Sequence, residues 1–535
     1  MRITRVSIDN FRCFDRFTID LAGESRLLIG ENAIGKSSLI IGIARALGRE
    51  RGFQRSDFLD LARPIDIRVT LTELDTSQLG IFAEVADFGA TTSLTVGVMV
   101  TWDPDAEESD LTHGYPTKTW KQSNRSEREA IDVYWIADTR DPSRLLQFGA
   151  RRGLLADVLS HVDLANPIST AIDGIKAACD GLASVGDLQS IMLNASAQLR
   201  KLVPAVGPQP YGIDSAASTE LAVMRQLQLM LEYGGPNLPL VNQSSGLAQL
   251  TLFAFSLLSI THRTGSILLI DEPELSLHPQ CQRALLSVLK SLPNQYVVAT
   301  HSASLLDRAD PRRIVRLHRD KGEVKDARPT GLSNEESTHL ARFTTPQNAE
   351  AFFARTAILV EGPSDKYALE ALALRKNRNL DADGVSIVVM EGAGGIKTFL
   401  ALLGPRGLRV ELAGLCDVAE ESTWGDALKA HGFGTKLDRT AMASLGFFVC
   451  DKDLEDVLIT AVGEQETLRI IDSQGETAAF ALFAKQPAHG GKSRHEQLHD
   501  FLHSRGRQIT YAPLVVDRLD LKKLPASLEG VIDAV

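Results

Sequence analysis

The segment 26–37, RLLIGENAIGKS, constrains this chain more than any other. Leu27-Leu28-Ile29 reads as a short buried strand, and it runs into Gly30. Gly30-Glu31-Asn32-Ala33-Ile34-Gly35-Lys36-Ser37 then spells G-x-x-x-x-G-K-S, and residues 38–47 continue with helical character. Strand, glycine-rich turn and helix in that order make a phosphate cradle. Backbone N–H groups from Asn32 to Ser38 are expected to wrap the phosphates, helped by Gly35 and by the dipole of the helix start. Lys36 is expected to reach the β- and γ-phosphates, and the Ser37 hydroxyl to join a Mg²⁺ shell. ATP and Mg²⁺ are thus the first expected cofactors.

A second element supports the first. Ile267-Leu268-Leu269-Ile270-Asp271-Glu272 is an apolar strand that ends in two carboxylates. Asp271 suits the Mg²⁺ shell and Glu272 suits polarisation of an attacking water. A strand that merely ends in an acidic turn would lack the flanking signals. Here Pro273-Glu274-Leu275-Ser276 follows at once, His301 ends a later apolar strand, and Ser244-Ser245-Gly246 opens a helix upstream.

In this order the elements resemble an ABC-type ATPase of the RecF/SMC group. The resemblance implies that Ser245 and Gly246 form the signature that caps the γ-phosphate of an opposite subunit. By the same resemblance His301 is the switch histidine, and Arg12, in the opening IDNFRCF, approaches the nucleotide. Two positions depart from the pattern: the signature reads SSGLAQ, and Asn32-Ala33 stands where Asn-Gly is usual.

The rest of the chain reads as follows. Val6 and Ile8, then Phe17, Ile19 and Leu21, alternate as in half-buried strands, and 94–102 and 131–137 look like further strands around a looped segment 103–129. Residues 151–235 are rich in Ala, Leu and Gln. Val223, Leu227, Met230 and Leu231 fall on one helical face, which fits a core-packed subdomain or a helix–helix dimerisation element. Residues 320–340 read as a polar linker. Apolar runs at 357–360, 385–390, 410–415 and 447–450 then predict a second parallel α/β domain.

That second domain carries carboxylates at strand ends. Val360-Glu361-Gly362-Pro363-Ser364-Asp365 follows the first strand, Asp417 the third and Asp451-Lys452-Asp453-Leu454-Glu455-Asp456 the fourth. Hard divalent ions want several oxygen ligands, and carboxylates at the C-terminal ends of adjacent parallel strands converge. VEGPSD resembles the opening of a Toprim domain, the metal-dependent fold of topoisomerases, primases and some nucleases. The expected D-x-D has Asp417 but Ala419, with Glu420 and Glu421 as substitutes.

An ABC ATPase followed in cis by Toprim resembles the OLD (overcoming lysogenisation defect) family, whose members are ATP-hydrolysing, metal-dependent DNA nucleases linked to phage defence. The expected fold is α/β: a RecF/SMC-like ABC ATPase domain (1–150 and 236–340) with a helical insertion (151–235), then a Rossmann-like Toprim domain (341–535). The resemblance implies Glu361, Asp365, Asp417 and Glu455 as metal ligands, with Glu420 and Asp453 beside them. Mn²⁺ is the alternative ion and Ca²⁺ a non-catalytic substitute. A late basic residue, Lys492 or Arg505, belongs beside the scissile phosphate. A homodimer or tetramer acting on DNA is expected, with room for a helicase partner. A RecF-like DNA-binding clamp with a silent Toprim domain is the alternative, whereas a topoisomerase or primase reading fails for want of a tyrosine-nucleophile or polymerase module after Toprim.

Composition tempers the DNA reading without cancelling it. The 535 residues, enough for about three to five folding units, carry 57 basic and 68 acidic side chains, a net charge of −11. That excludes a globally basic DNA coat. Two basic runs remain as DNA contacts: Arg312, Arg313, Arg316, His318, Arg319, Lys321 and Lys325, and the later Lys492, Arg494, His495, His499, His503, Arg505 and Arg507. Five scattered cysteines without a C-x-x-C pair, no apolar leader and no membrane-length run point to a reducing cytoplasm and no membrane.

Overall fold

The computed structural model describes residues 1–535 apart from 51, 118–119, 139–140, 149–153, 160–161, 203–214, 216–218, 233–236, 262–264, 308, 331, 333, 344, 391 and 393–394. Parts of the 151–235 insertion therefore lie outside the described residues, as does the side chain of Arg505.

The first strand, Arg2–Phe11, buries Ile3, Val6 and Ile8 in alternation and pairs antiparallel with Phe14–Asp20 and Ile65–Thr72. Thr92–Asp103, Glu108–Pro116 and Trp120–Gln122, with the short Asp87–Phe88 beside Thr92–Asp103, extend this into a seven-stranded antiparallel sheet. The segment expected as a loop, 103–129, is thus mostly a hairpin. Its strand ESDLTHGYP is polar because it is half exposed, so hydrophobic alternation does not mark it.

Behind that sheet lies a six-stranded one in the order Glu323–Ala327, Ile314–Asp320, Arg26–Gly30, Gln295–Ala299, Ile267–Asp271, Val133–Ile136. All neighbours are parallel except the hairpin 314–327. Arg26–Gly30 and Ile267–Asp271 are buried at every position, which is why they read as unbroken apolar runs. The expected linker 320–340 is instead a strand and the helix Asn334–Phe343.

Within the insertion, Ala165–Ala183 and Gly186–Leu202 are helices. The helix Glu220–Gln226 buries Val223 but stops before Leu227, whose backbone is extended. Leu227 and Met230 are exposed rather than members of one apolar helical face.

The C-terminal sheet is fully parallel, ordered Val385–Val389, Thr356–Val360, Glu411–Asp417, Phe447–Cys450. Helices from Leu454 to Asp533 cover one face. The other face shares one hydrophobic core with the six-stranded sheet, in which Ile270, Ile314 and Phe352 join Val388 and Phe399. Among the described residues no helix is long and apolar enough to cross a membrane.

Candidate nucleotide and metal centres

The phosphate loop is drawn tight by its own lysine. Lys36 is buried, and its ammonium donates to the carbonyls of Gly30 (2.9 Å) and Glu31 (2.8 Å). Burial pulls its pKa down to about 8, against the pull of Glu272 and Asp271. Gly35 caps the helix Lys36–Ala46 at φ 113, and a Cβ there would lie 2.5 Å from Cys13 Sγ. Ala33 is also left-handed, at φ 59, so the departure from Asn-Gly puts a Cβ where glycine is favoured.

Ser37 donates its hydroxyl to Asp271 Oδ1 at 3.1 Å. Burial lifts the Asp271 carboxyl to about 6, opposed by that hydrogen bond and reinforced by Asp138 and Glu272. A hydroxyl and a carboxylate over a phosphate loop are the all-oxygen donors a Mg²⁺–nucleotide requires. Glu272 follows, with φ 45, and its N–H donates to Ala299 O at 2.9 Å.

Glu274 is a residue the motif reading passed over. It accepts from Thr300 Oγ1 (2.8 Å) and from the backbone N–H of His301 (2.5 Å), tying the turn after Asp271 to His301. Burial, then Lys36, holds the His301 imidazole near pKa 4, so it is neutral at pH 7. Ser245 starts the helix Ser245–Thr261 and is exposed. Gly246 packs so closely on Ser276 that a Cβ would lie 2.6 Å from its carbonyl oxygen. Arg12 is clamped to Asp57 (Nε to Oδ1, 2.8 Å), which also receives Arg45 (2.8 Å).

The second centre gathers Glu361, Asp365, Asp417, Asp453 and Glu455. Val360 pairs with Leu415, and Asp417 with Cys450, so the strand ends bring these carboxylates to one edge. Asp417 N–H faces Glu361 Oε1 at 3.5 Å, and Asp365 accepts from Gly362 N–H at 2.9 Å. Burial, with Glu361, Asp365, Asp453 and Glu455 as neighbours, lifts Asp417 to about 8. Burial lifts Asp365 to about 7, with Glu455 and Glu361 adding to it. Glu361 is raised by burial and by Glu420. Glu361, Asp365 and Asp417 form an oxygen-only group that fits a hard divalent cation, while Asp453 and Glu455 also meet His499 (2.7 Å) and His503 (3.2 Å).

Ala419 sits exposed in the turn Val418–Glu420. Of its acidic neighbours, Glu420 stands close enough to raise Glu361, whereas Glu421 is bound by Arg439 (2.7 Å).

The basic runs are not continuous surfaces. Arg316 and His318 are buried, and Arg316 donates to Ala354 O (2.9 Å) and Arg409 O (2.8 Å) across the join between the two α/β sheets. Arg312 is engaged by Asp310. In the second run Arg507 pairs with Glu476, and Lys492 with Asp500 at 2.6 Å. His495, His499 and His503 turn inward to Asp456, Asp453 and Glu455. Local charge density could not reveal these partners, which lie far away in sequence.

Residues 27–307 match the family described as "AAA domain, putative AbiEii toxin, Type IV TA system". Residues 352–418 match "Overcoming lysogenization defect protein-like, TOPRIM domain". The chain is 31% identical over 154 residues to YbjD of Escherichia coli K12, covering 28% of this chain and only 27% of that protein. It is 23% identical over 436 residues to the OLD nuclease of Thermus scotoductus, covering 75% of this chain and 79% of that one. The C-terminal region of the Burkholderia pseudomallei OLD protein aligns at 21% identity over 34% of this chain and 96% of that structure, with a TM-score of 0.28. With residues 27–307 matched, the chain belongs to that AAA-domain family, and an OLD-like TOPRIM domain follows it in series.

Proposed function

We propose that this protein is an ATP-hydrolysing, divalent-metal-dependent DNA nuclease that acts as a homo-oligomer in defence against phage. The observation that carries the proposal is one chain holding both centres: the Ser37–Asp271 pair at a phosphate loop, and five carboxylates at the ends of adjacent parallel strands. The relative named OLD nuclease supports it.

In the nucleotide centre Lys36 and the loop amides hold the phosphates, Ser37 and Asp271 hold the Mg²⁺ ion, and Glu272 orients water. His301, neutral at pH 7, accepts or donates one hydrogen bond near the γ-phosphate. Exposed Ser245 with Gly246 completes the site of a second subunit. The insertion 151–235 supplies an oligomer contact, since Leu182, Ile191 and Leu193 are exposed on its helices.

In the TOPRIM centre Glu361, Asp365, Asp417, Asp453 and Glu455 hold Mg²⁺ or Mn²⁺, with Glu420 standing in for the second Asp. When bound, such ions neutralise phosphate charge and activate water. Lys492, on the loop before the helix Arg494–His503, leaves Asp500 to steady the scissile phosphate, with Arg505 as the other candidate. One observation favours the clamp alternative: Ala419 offers no ligand where a second Asp is expected. Nicking of supercoiled plasmid with Mg²⁺ or Mn²⁺ separates the two. Glu361→Ala and Asp417→Ala should each abolish it, and cleavage unchanged in both refutes the nuclease.

A further inference from the structure

The helix Arg494–His503 carries His495, His499 and His503 at a spacing of four, so the three imidazoles stack along one face. The rings of His499 and His503 have centroids 4.5 Å apart. Both reach the same oxygen: Asp453 Oδ2 lies 2.7 Å from His499 Nε2 and 3.7 Å from His503 Nε2. Asp453 is aimed there by its other oxygen, which accepts the Asp456 N–H at 2.9 Å as the cap of the helix Leu454–Val462.

We propose that His499, His503 and Asp453 form a binding site for a transition-metal dication of the Zn²⁺ class. One ligand atom from each of the three lies within 4.8 Å of the other two. Zinc bonds of about 2.0–2.2 Å in a tetrahedron place ligand atoms about 3.3 Å apart. The two observed separations to Asp453 bracket that value, and the two imidazole ligand atoms lie within 4.8 Å of each other. A pair of histidines one turn apart on a helix is a natural chelate for such ions.

The surroundings fit the same ligand. A metal-bound imidazole commonly presents its second nitrogen to a carboxylate. His499 Nδ1 faces Asp500 Oδ1 at 3.7 Å, and Asp500 is itself fixed by Lys492 (2.6 Å) and His489 (2.9 Å). His499 and Asp453 are largely buried, whereas His503 is 40% exposed, which leaves a side for ion entry and a water ligand. Two imidazoles select against Mg²⁺ and Ca²⁺, which take oxygen donors, and favour Zn²⁺ and its neighbours. The site shares Asp453 with the carboxylate centre, yet its existence does not depend on the nuclease reading.

The test uses the full chain, freed of metal by a chelator and dialysed against micromolar Zn²⁺ with millimolar Mg²⁺ present. Metal per chain is then measured by atomic emission. Wild type and Glu361→Gln should retain one Zn²⁺ equivalent that His499→Ala/His503→Ala loses. Asp500→Asn, which touches no ion, should weaken Zn²⁺ binding by about 10–100-fold. His503→Gln, at a half-exposed position, should weaken it at least tenfold in a chain whose circular dichroism is unchanged. Equal zinc content in wild type and the histidine variants overturns the proposal. So does loss of the equivalent in Glu361→Gln but not in the histidine variants.

Discussion

The imidazole of His301 lies stacked on the ring of Phe353, with centroids 6.2 Å apart and planes 23° from parallel. His301 follows the strand Gln295–Ala299 beside the phosphate loop, and Phe353 stands just before the strand Thr356–Val360 that delivers Glu361. Arg316 makes a second link: it lies 3.7 Å from Glu31 of the phosphate loop while donating to backbone carbonyls at the join with the C-terminal sheet. The phosphate loop and the strand that leads to Glu361 are therefore linked through packed groups.

Phe353→Ala should uncouple the centres. Coupling between sites is typically worth about 1–3 kcal/mol. The ratio of plasmid nicking with ATP to nicking without it should move toward one, with ATP hydrolysis preserved. An unchanged ratio means that the stacked pair transmits nothing.

Asp57 should be a hinge of stability in the N-terminal domain. Its carboxyl is buried and receives both Arg12 and Arg45. Asp57→Asn removes the nearer of Arg45's two carboxylate partners, leaving Glu50 at 3.4 Å, and should cost about 1.5–3 kcal/mol in urea unfolding. Burial alone would raise this carboxyl; hydrogen bonds from Gln54 N–H, Arg12 and Arg45 outweigh it and hold the folded pKa below 3.8. The contribution is thus complete above pH 4 and fades as pH falls through the lowered folded value. The gap between wild type and variant should shrink in acid; a constant gap contradicts the pairing.

Much of this was legible in the sequence, for physical reasons. Strands buried on both faces, such as Ile267–Asp271 and Thr356–Val360, must be apolar throughout, and carboxylates placed at their ends stand out. Half-exposed strands such as Glu108–Pro116 carry no such mark. Arg316 and the histidines at 495, 499 and 503 read as a basic surface because their acceptors come from distant segments. Glu274 was hidden for the same reason, since its partners Thr300 and His301 lie a whole helix and strand away.

Ala33 carries strain that glycine would relieve. A left-handed non-glycine residue costs about 1–2 kcal/mol, and glycine's extra unfolded-state entropy returns about 0.5–1 of it. Ala33→Gly should raise the urea midpoint slightly; a lower midpoint contradicts the assignment of strain.

Gly246→Ala should damage turnover rather than binding. The new Cβ meets the Ser276 carbonyl at 2.6 Å and must displace the turn that carries Glu272 and Glu274. A displacement near 1 Å can cost about 10²-fold in rate. ATP hydrolysis should fall by that order, while nucleotide affinity, set by Lys36 and its loop, is retained. Full turnover in the variant contradicts the close packing.

The central claim, two separate chemistries on one chain, is tested most directly by measuring ATP hydrolysis and plasmid nicking in the same samples of wild type, Lys36→Ala and Glu361→Gln. Lys36→Ala should lose ATP binding and hydrolysis. Glu361→Gln should hydrolyse ATP at the wild-type rate and leave supercoiled plasmid intact in Mg²⁺ or Mn²⁺. Plasmid nicked by Glu361→Gln as fast as by wild type would contradict the account.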